Sequence, residues 1–586
     1  MVMVEADRAD GADREAPVLV LGPMLRYVGE TAATLWVETD RACEVEVLGR
    51  RAHTFQVAGH HYALLVIDGL RPGTSSEYQV ALDGTVRWPE PGSAFPPSVL
   101  RTLAAGKPQR LLFGSCRIAE LPAVKGGRRR ARLDSEHGAD AMAACAFGLP
   151  GMPRERWPDV MLLIGDQVYG DEAGPATRQF IDQRRDPSIP PGYEVADFTE
   201  YCALYRDSWS EPSVRWLLSV IPTVMIFDDH DVHDDWNISS SWRSDYQAKP
   251  WWRSRITGAF MSYWLYQHLG NLSPAELDRD EVWRQVRQAD DAAAVLGDLA
   301  LRADRRAAGV RWSVRRDFGG VRVVMIDSRS RRVLEDDAKR LMVDEAEWEW
   351  VTESVSGDWD HVVLATSLPL LLPRGIHALE AWNEVVCAGA WGRSVARAGE
   401  RLRRAVDLEH WAAFGKSFAD FERLLVGLAA GWYGKAPASV TVISGDIHHS
   451  YLAPVDFRGG VSPRAAVHQA VCSPIHNVLP RSMRRGQRLA TSHAGELAGV
   501  AIARLAGVGK PGLRWRITHG PWFDNMLAAL EFDGHGARIR FDRAAADESG
   551  NPSLHPICET PLLSETPLPG HGRRPQPGSA AGSVRG

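Results

Sequence analysis

The run Val160-Met-Leu-Leu-Ile164 enters the loop Gly165-Asp166-Gln-Val-Tyr169-Gly-Asp171, and the rest of the chain is read outward from this stretch. Five consecutive apolar residues ending in a glycine and an acid predict a strand buried on both faces, with a carboxylate at its carboxyl end. In layered α/β sheets that edge is where ligands bind. The pattern recurs: Arg110-Leu-Leu-Phe113 leads into Gly114-Ser-Cys116-Arg117, and Thr223-Val-Met-Ile-Phe227 leads into Asp228-Asp229-His230-Asp231-Val-His233. Val321-Arg-Val-Val-Met-Ile326 leads into Asp327-Ser-Arg329, and Val440-Thr-Val-Ile443 into Ser444-Gly-Asp446-Ile-His448-His449. A sixth run, His361-Val-Val-Leu-Ala365, is followed by Thr366 and Ser367, which offer only hydroxyls. Helical stretches are predicted between them, over Glu281 to Arg305, Val343 to Val355 and Ser394 to Gly431. The expected class is α/β, a sheet of buried strands covered by helices.

Upstream the rhythm differs. From Val18 to about Leu103 short alternating segments (Ala33–Val37, Cys43–Leu48, Tyr62–Ile67, Glu77–Leu82) are separated by turn residues, which predicts a small β-sandwich over 16–104. Gly69 to Val80 resembles the turn and strand of fibronectin type III-like domains, where the tyrosine, here Tyr78, pins a sheet corner. Downstream, Asn525 to Phe532, the turn at Asp533-Gly-His-Gly and Ala537 to Phe541 predict a closing hairpin. Residues 1–15 and 546–586 read as tails, the latter rich in Pro, Gly and Ser, leaving 105–545 for the α/β domain.

Composition narrows the function. With 68 Lys+Arg against 74 Asp+Glu, the net charge of −6 argues against a global basic field for nucleic acid or an anionic membrane. The run Lys125 to Arg132 is basic but lacks interleaved aromatics; it reads as solvated surface or as a lid that concentrates anionic substrates. Seven scattered cysteines without a CxxC pair do not suggest a disulfide framework. The first residues show no basic and apolar leader, and no run of about 18 apolar residues occurs, so a cytoplasmic protein is expected.

Cys, Asp, Tyr, His and further Asp residues delivered by several strand ends imply one shared site, and its chemistry fits two metals. Asp166 can bridge two cations, and Tyr169 can turn back to one of them as a phenolate. Phenolate and thiolate from Tyr169 and Cys116 favour a strongly charged ion and are compatible with iron, with His448 supplying an imidazole. Asp229 and Asp446 offer oxygen to a second ion, which suits Ca²⁺, Mg²⁺ or Mn²⁺ better than Zn²⁺. His230 is placed to protonate a leaving oxygen. Asp228 and Asp171 are candidates for orienting these groups, Asp171 also for capping a helix. His233 and His449 read equally well as supporting, exposed or coordinating residues, and Cys472 to Asn477 as a pocket wall.

The ordered set Gly-Ser-Cys-Arg, Gly-Asp-x-x-Tyr, Asp-His-Asp and Gly-Asp-x-His behind a β-sandwich resembles alkaline phosphatase D, the PhoD-like branch of the calcineurin-type metallophosphatases, over roughly Val18 to Arg543. The resemblance implies a four-layer αββα fold and hydrolysis of small anionic phosphate mono- or diesters by a metal-activated hydroxide. It implies iron (Fe³⁺) held by Cys116, Asp166, Tyr169 and His448, and one or two divalent ions, Ca²⁺ first, held by Asp166, Asp229 and Asp446. His230 would be the acid. Arg329 would grip a phosphate, or belong with Arg331 and Arg332 to a surface role. The chain departs from the wider superfamily at Ser367, where a metal-binding His is common, and from secreted members in lacking a twin-arginine leader. Two other readings stay open: a phosphodiesterase or phospholipase-like enzyme, and a catalytically degenerate metal-binding scaffold.

Overall fold

The computed structural model describes residues 16–119, 138–306, 309–335, 339–459, 463–479, 484, 492–548 and 550–563. The tail 1–15, the basic run Lys125 to Arg132 and most of the C-terminal tail lie outside the described residues.

Each predicted apolar run is a strand, and two sheets result. The first has the order Thr223–Ile226, Val160–Ile164, Gln109–Gly114, Met526–Asp533, Gly536–Ala546, Pro552–Pro561. Its first three strands are parallel and the rest antiparallel. The second runs Val314–Phe318, Val321–Ile326, His361–Thr366, Ser439–Ser444, Ala466–Val471, Ser450–Phe457, Leu513–Trp515, with four parallel strands at its centre. All five residues of Val160–Ile164 are buried. Alternation along it explains why: Val160, Leu162 and Ile164 enter the core between the sheets, while Met161 and Leu163 face the helices outside. In the second sheet Val363 and Ala365 join that central core, and Val362 and Leu364 face outward against the Gly415–Ala430 helix. The result is the four-layer αββα arrangement, with an all-β region before it.

That region forms two four-stranded antiparallel sheets and a two-stranded one. Tyr78 does not pin a corner of its own sheets. Its hydroxyl donates to the Ser219 carbonyl at 2.6 Å on the Pro212–Val220 helix of the α/β domain. The helix takes this contact because one hydrophobic core runs through both parts, from Leu19, Trp36 and Leu100 to Trp216, Tyr266 and Trp312.

Two further expectations are corrected. The segment from Ala546 does not begin as a tail: Pro552–Pro561 adds a strand to the closing hairpin, pairing Ile539 with Thr560 and Phe541 with Cys558. The stretch Ser394 to Gly431 is not one helix. It breaks into Arg393–Ala405, a short 3₁₀ turn at Trp411–Ala413, and Gly415–Ala430, with Asp407 in the left-handed region at φ 50°. All seven residues from Leu408 to Phe414 are buried, which a continuous helix with one face to solvent would not give. Glu281 to Arg305 divides likewise into Glu281–Gln288 and Ala293–Asp304. Among the described residues no helix is long and apolar enough to cross a membrane.

Candidate metal centre

The parallel strands of both sheets end at one edge, and their loops carry the chemistry. Cys116, Asp166, Asp446 and His448 all have left-handed backbones, with φ of 58°, 52°, 67° and 51°. Such conformations cost free energy and persist where the surroundings over-determine them. Gly165 permits the close packing: its own φ is +104°, and a Cβ there would lie 2.7 Å from the Cβ of Asp228.

Four buried or half-buried carboxylates, Asp166, Asp228, Asp229 and Asp446, place one oxygen each within 4.8 Å of the others. Asp171, His230 and Asp234 form a second such group at the mouth. Like charges so close need compensation, and the first group is under-bonded. Asp166 Oδ1, Asp228 Oδ2 and Asp229 Oδ1 are buried without a hydrogen-bond partner, as is Nδ1 of His448. Burial, then Cys116 and the neighbouring carboxylates, raise the Asp166 pKa well above its ordinary value. Convergent, orphaned oxygen donors are what a hard cation requires. The residues present therefore fit a metal.

Cys116 is fully buried, and its Sγ lies 3.3 Å from Asp166 Oδ2. Burial, and next the charge of Asp446, push its thiol up to about 12, so only a cation would hold it as thiolate. Tyr169 is buried, accepts a hydrogen bond from Asn477 Nδ2 at 3.1 Å, and packs its ring 4.4 Å from that of His230. Burial brings the His448 imidazole down to about 4, keeping it neutral. Cys116 and His448 belong to neither metal-sized group. The Cys472 to Asn477 loop does wall the site, since Ser473 Oγ donates to Cys116 Sγ at 3.2 Å.

His230 Nδ1 sits 3.0 Å from both oxygens of Asp171, which orients its other nitrogen. Arg329 and Arg332 are fully buried, which overturns a surface role for this arginine run. Arg329 pairs through Nε with Asp228 and through Nη1 with Glu409, and its Nη2 lies 3.1 Å from Asp229 Oδ1 and 3.9 Å from Asp446 Oδ1. Ser367 bonds the Ser328 hydroxyl at 2.8 Å. His233 and His449 are buried and bond backbone carbonyls through Nδ1.

Three residues escaped the sequence reading. Asp231, inside the Asp-His-Asp motif, accepts the backbone N–H groups of both Asp166 and Asp228 on Oδ2, each at 2.9 Å, and Gln267 Nε2 on Oδ1 at 2.9 Å. It ties the two metal-facing loops together. Glu380 and His410 form a chain to Asp446, with 2.6 Å from Glu380 Oε1 to His410 Nδ1 and 3.0 Å from His410 Nε2 to Asp446 Oδ2. The signal for His410 was hidden in a segment that scans as helix.

Residues 16–100 match the model of a domain of unknown function, DUF7800. No curated protein matches the chain. A solved structure described as the structure of PhoD aligns with 96% of this chain and 95% of its own, at a TM-score of 0.55 and 12% identity, which supports the fold. Residues 147–498, more than half of the chain, match the family of PhoD-like phosphatases, and the chain belongs to it.

Proposed function

We propose that the chain is a metal-dependent phosphoesterase acting on small phosphate esters at a dinuclear centre built on Asp166. The observation that carries this reading is the group of four clustered carboxylates, three of them with an unpartnered oxygen, at the shared strand edge of a PhoD-like phosphatase fold. Cys116, Asp166, Tyr169 and His448 would hold iron, and Asp166, Asp229 and Asp446 one or two divalent ions, Ca²⁺ first, with Asp228 added to their surroundings. When bound, such ions stabilise charge on the phosphoryl oxygens and make water nucleophilic at neutral pH.

The chain's own residues supply the rest. His230, held by Asp171, protonates the leaving oxygen through Nε2. Arg329 neutralises Asp228, Asp229 and Glu409, and its Nη2, which makes no hydrogen bond, is the atom left to meet a phosphoryl oxygen. Asp231 fixes the spacing of the Asp166 and Asp228 loops.

The test pairs elemental analysis of purified protein with hydrolysis of p-nitrophenyl phosphate and bis-p-nitrophenyl phosphate, with and without added Ca²⁺ or Mn²⁺. Bound iron together with hydrolysis supports the proposal, and the preferred ester separates monoesterase from diesterase. A metal-replete protein inactive on both esters would favour the scaffold reading.

A further inference from the structure

The helix Arg374–Cys387 carries Glu380 toward His410 and, three residues earlier, turns His377 into a cavity of about 930 Å³. The cavity shares no residue with the metal centre. Its other walls come from the helix His493–Leu505, the loop that follows it and the strand Leu513–Trp515.

The floor is apolar and aromatic with one polar atom left over. His377 is only 5% exposed, and its ring lies between those of Phe418 and Trp515, 4.9 and 4.8 Å away. Its Nδ1 has no hydrogen-bond partner among the described residues. Val500 and Leu513 extend the apolar surface. The rim is cationic. Arg458, Arg504, Lys510, Arg514 and Arg516 all border the cavity and form no ion pair among the described residues, whereas Arg374 is matched by Glu496 at 2.9 Å. Three acids also border it, but Glu384 accepts the Gly415 N–H at 2.8 Å and burial raises the Glu422 pKa, so Glu422 and Asp456 face five cations.

We propose that this cavity is a second binding site, for an amphipathic anion whose apolar chain lies on His377, Phe418 and Trp515 and whose carboxylate or phosphate head sits among the rim cations. Burial of the chain drives binding and the arginines orient the head. A volume of this size is that of a small-ligand pocket. Neither a bare anion nor a neutral chain satisfies both halves of it.

Isothermal titration of the full chain with decanoate, decyl phosphate, inorganic phosphate and decanol tests this, decanoate being immune to hydrolysis at the metal centre. Both decyl anions are expected to bind, with inorganic phosphate and decanol at least about tenfold weaker. Arg514→Glu with Arg516→Glu, both exposed, should weaken decanoate about tenfold or more, and Ala381→Trp should fill the cavity and abolish binding. Hydrolysis of p-nitrophenyl phosphate by the charge-reversed variant should stay unchanged. The proposal fails if neither decyl anion binds, if inorganic phosphate binds as tightly as decyl phosphate does, or if decanoate affinity survives the arginine reversals.

Discussion

Nε2 of His410 lies 3.0 Å from Oδ2 of Asp446, whose other oxygen, Oδ1, lies 3.9 Å from Arg329 Nη2. Glu380, fully buried, fixes the imidazole through Nδ1 at 2.6 Å. Burial alone would raise the Asp446 pKa; the hydrogen bond and charge of His410 outweigh it and keep the carboxyl below its usual range. His410→Ala should therefore loosen Asp446 and cost about 10–100-fold in metal affinity or activity. Glu380→Gln, which keeps an acceptor for Nδ1, should cost less. Metal stoichiometry after dialysis, with kcat on p-nitrophenyl phosphate, checks both.

Asp231→Ala leaves the buried amides of Asp166 and Asp228 without an acceptor, at about 1–3 kcal/mol for each unsatisfied group. The variant should unfold earlier in urea and lose activity together. Asp231→Asn, retaining one carbonyl oxygen, should recover part of both.

The pH dependence follows from His230. Burial lowers its pKa, but Asp171 and then Asp229 outweigh burial and carry it well above the ordinary imidazole value. The protonated acid thus persists as pH rises, and activity on a poor leaving group is lost only when pH passes that raised value. Asp171→Asn removes one negative charge, so the alkaline limb should move down by about 1–3 pH units. His230→Ala should lower kcat by about 10²–10⁴-fold on an alkyl phosphate and much less on p-nitrophenyl phosphate. A pH–rate profile with an alkyl phosphate reads both effects, and an unmoved limb in Asp171→Asn would sink the assignment.

Arg329→Met strands Asp228 in a buried setting, while Glu409 keeps its pair with Arg332 at 3.0 Å. Breaking a buried ion pair costs about 3–5 kcal/mol, which denaturant unfolding of the metal-stripped protein should show. Added Ca²⁺ or Mn²⁺ should restore part of the loss in the variant, because a cation binding the folded chain replaces the missing charge.

The shared core predicts a single cooperative unfolding transition for the sandwich and the α/β domain. Tyr78→Phe, removing the bond to Ser219, should lower stability by about 0.5–1.5 kcal/mol without adding a second transition. Calorimetry of the full chain, wild type and variant, measures this.

The layered fold and the acid-bearing strand ends were legible because continuous apolar runs and the residues after them are local signals. Cys116, Asp166, Asp229, His230 and Asp446 could be named that way. His410 could not, since Ser394 to Gly431 scans as helix and the break that presents it lies in a segment, Leu408 to Phe414, buried at every residue by tertiary packing. Asp231 was visible as a residue but not as an acceptor, because its partners are backbone amides of loops 65 and 3 residues away. The strand Pro552–Pro561 was masked by its three prolines, tolerated at a sheet edge where one side needs no donor.

Arg26 of the N-terminal sandwich is inserted against Gly270, where a Cβ would lie 2.4 Å from its Nε, and its guanidinium caps the carbonyls of Tyr266 and Gln267. Gln267 is also the residue that holds Asp231. The sandwich is therefore not a portable module. Joined to an unrelated hydrolase it would carry a buried arginine with no carbonyls to receive it, and a phosphatase that lost it would lose the brace behind its own acidic loops. A change at either side of that junction is thus felt at the other.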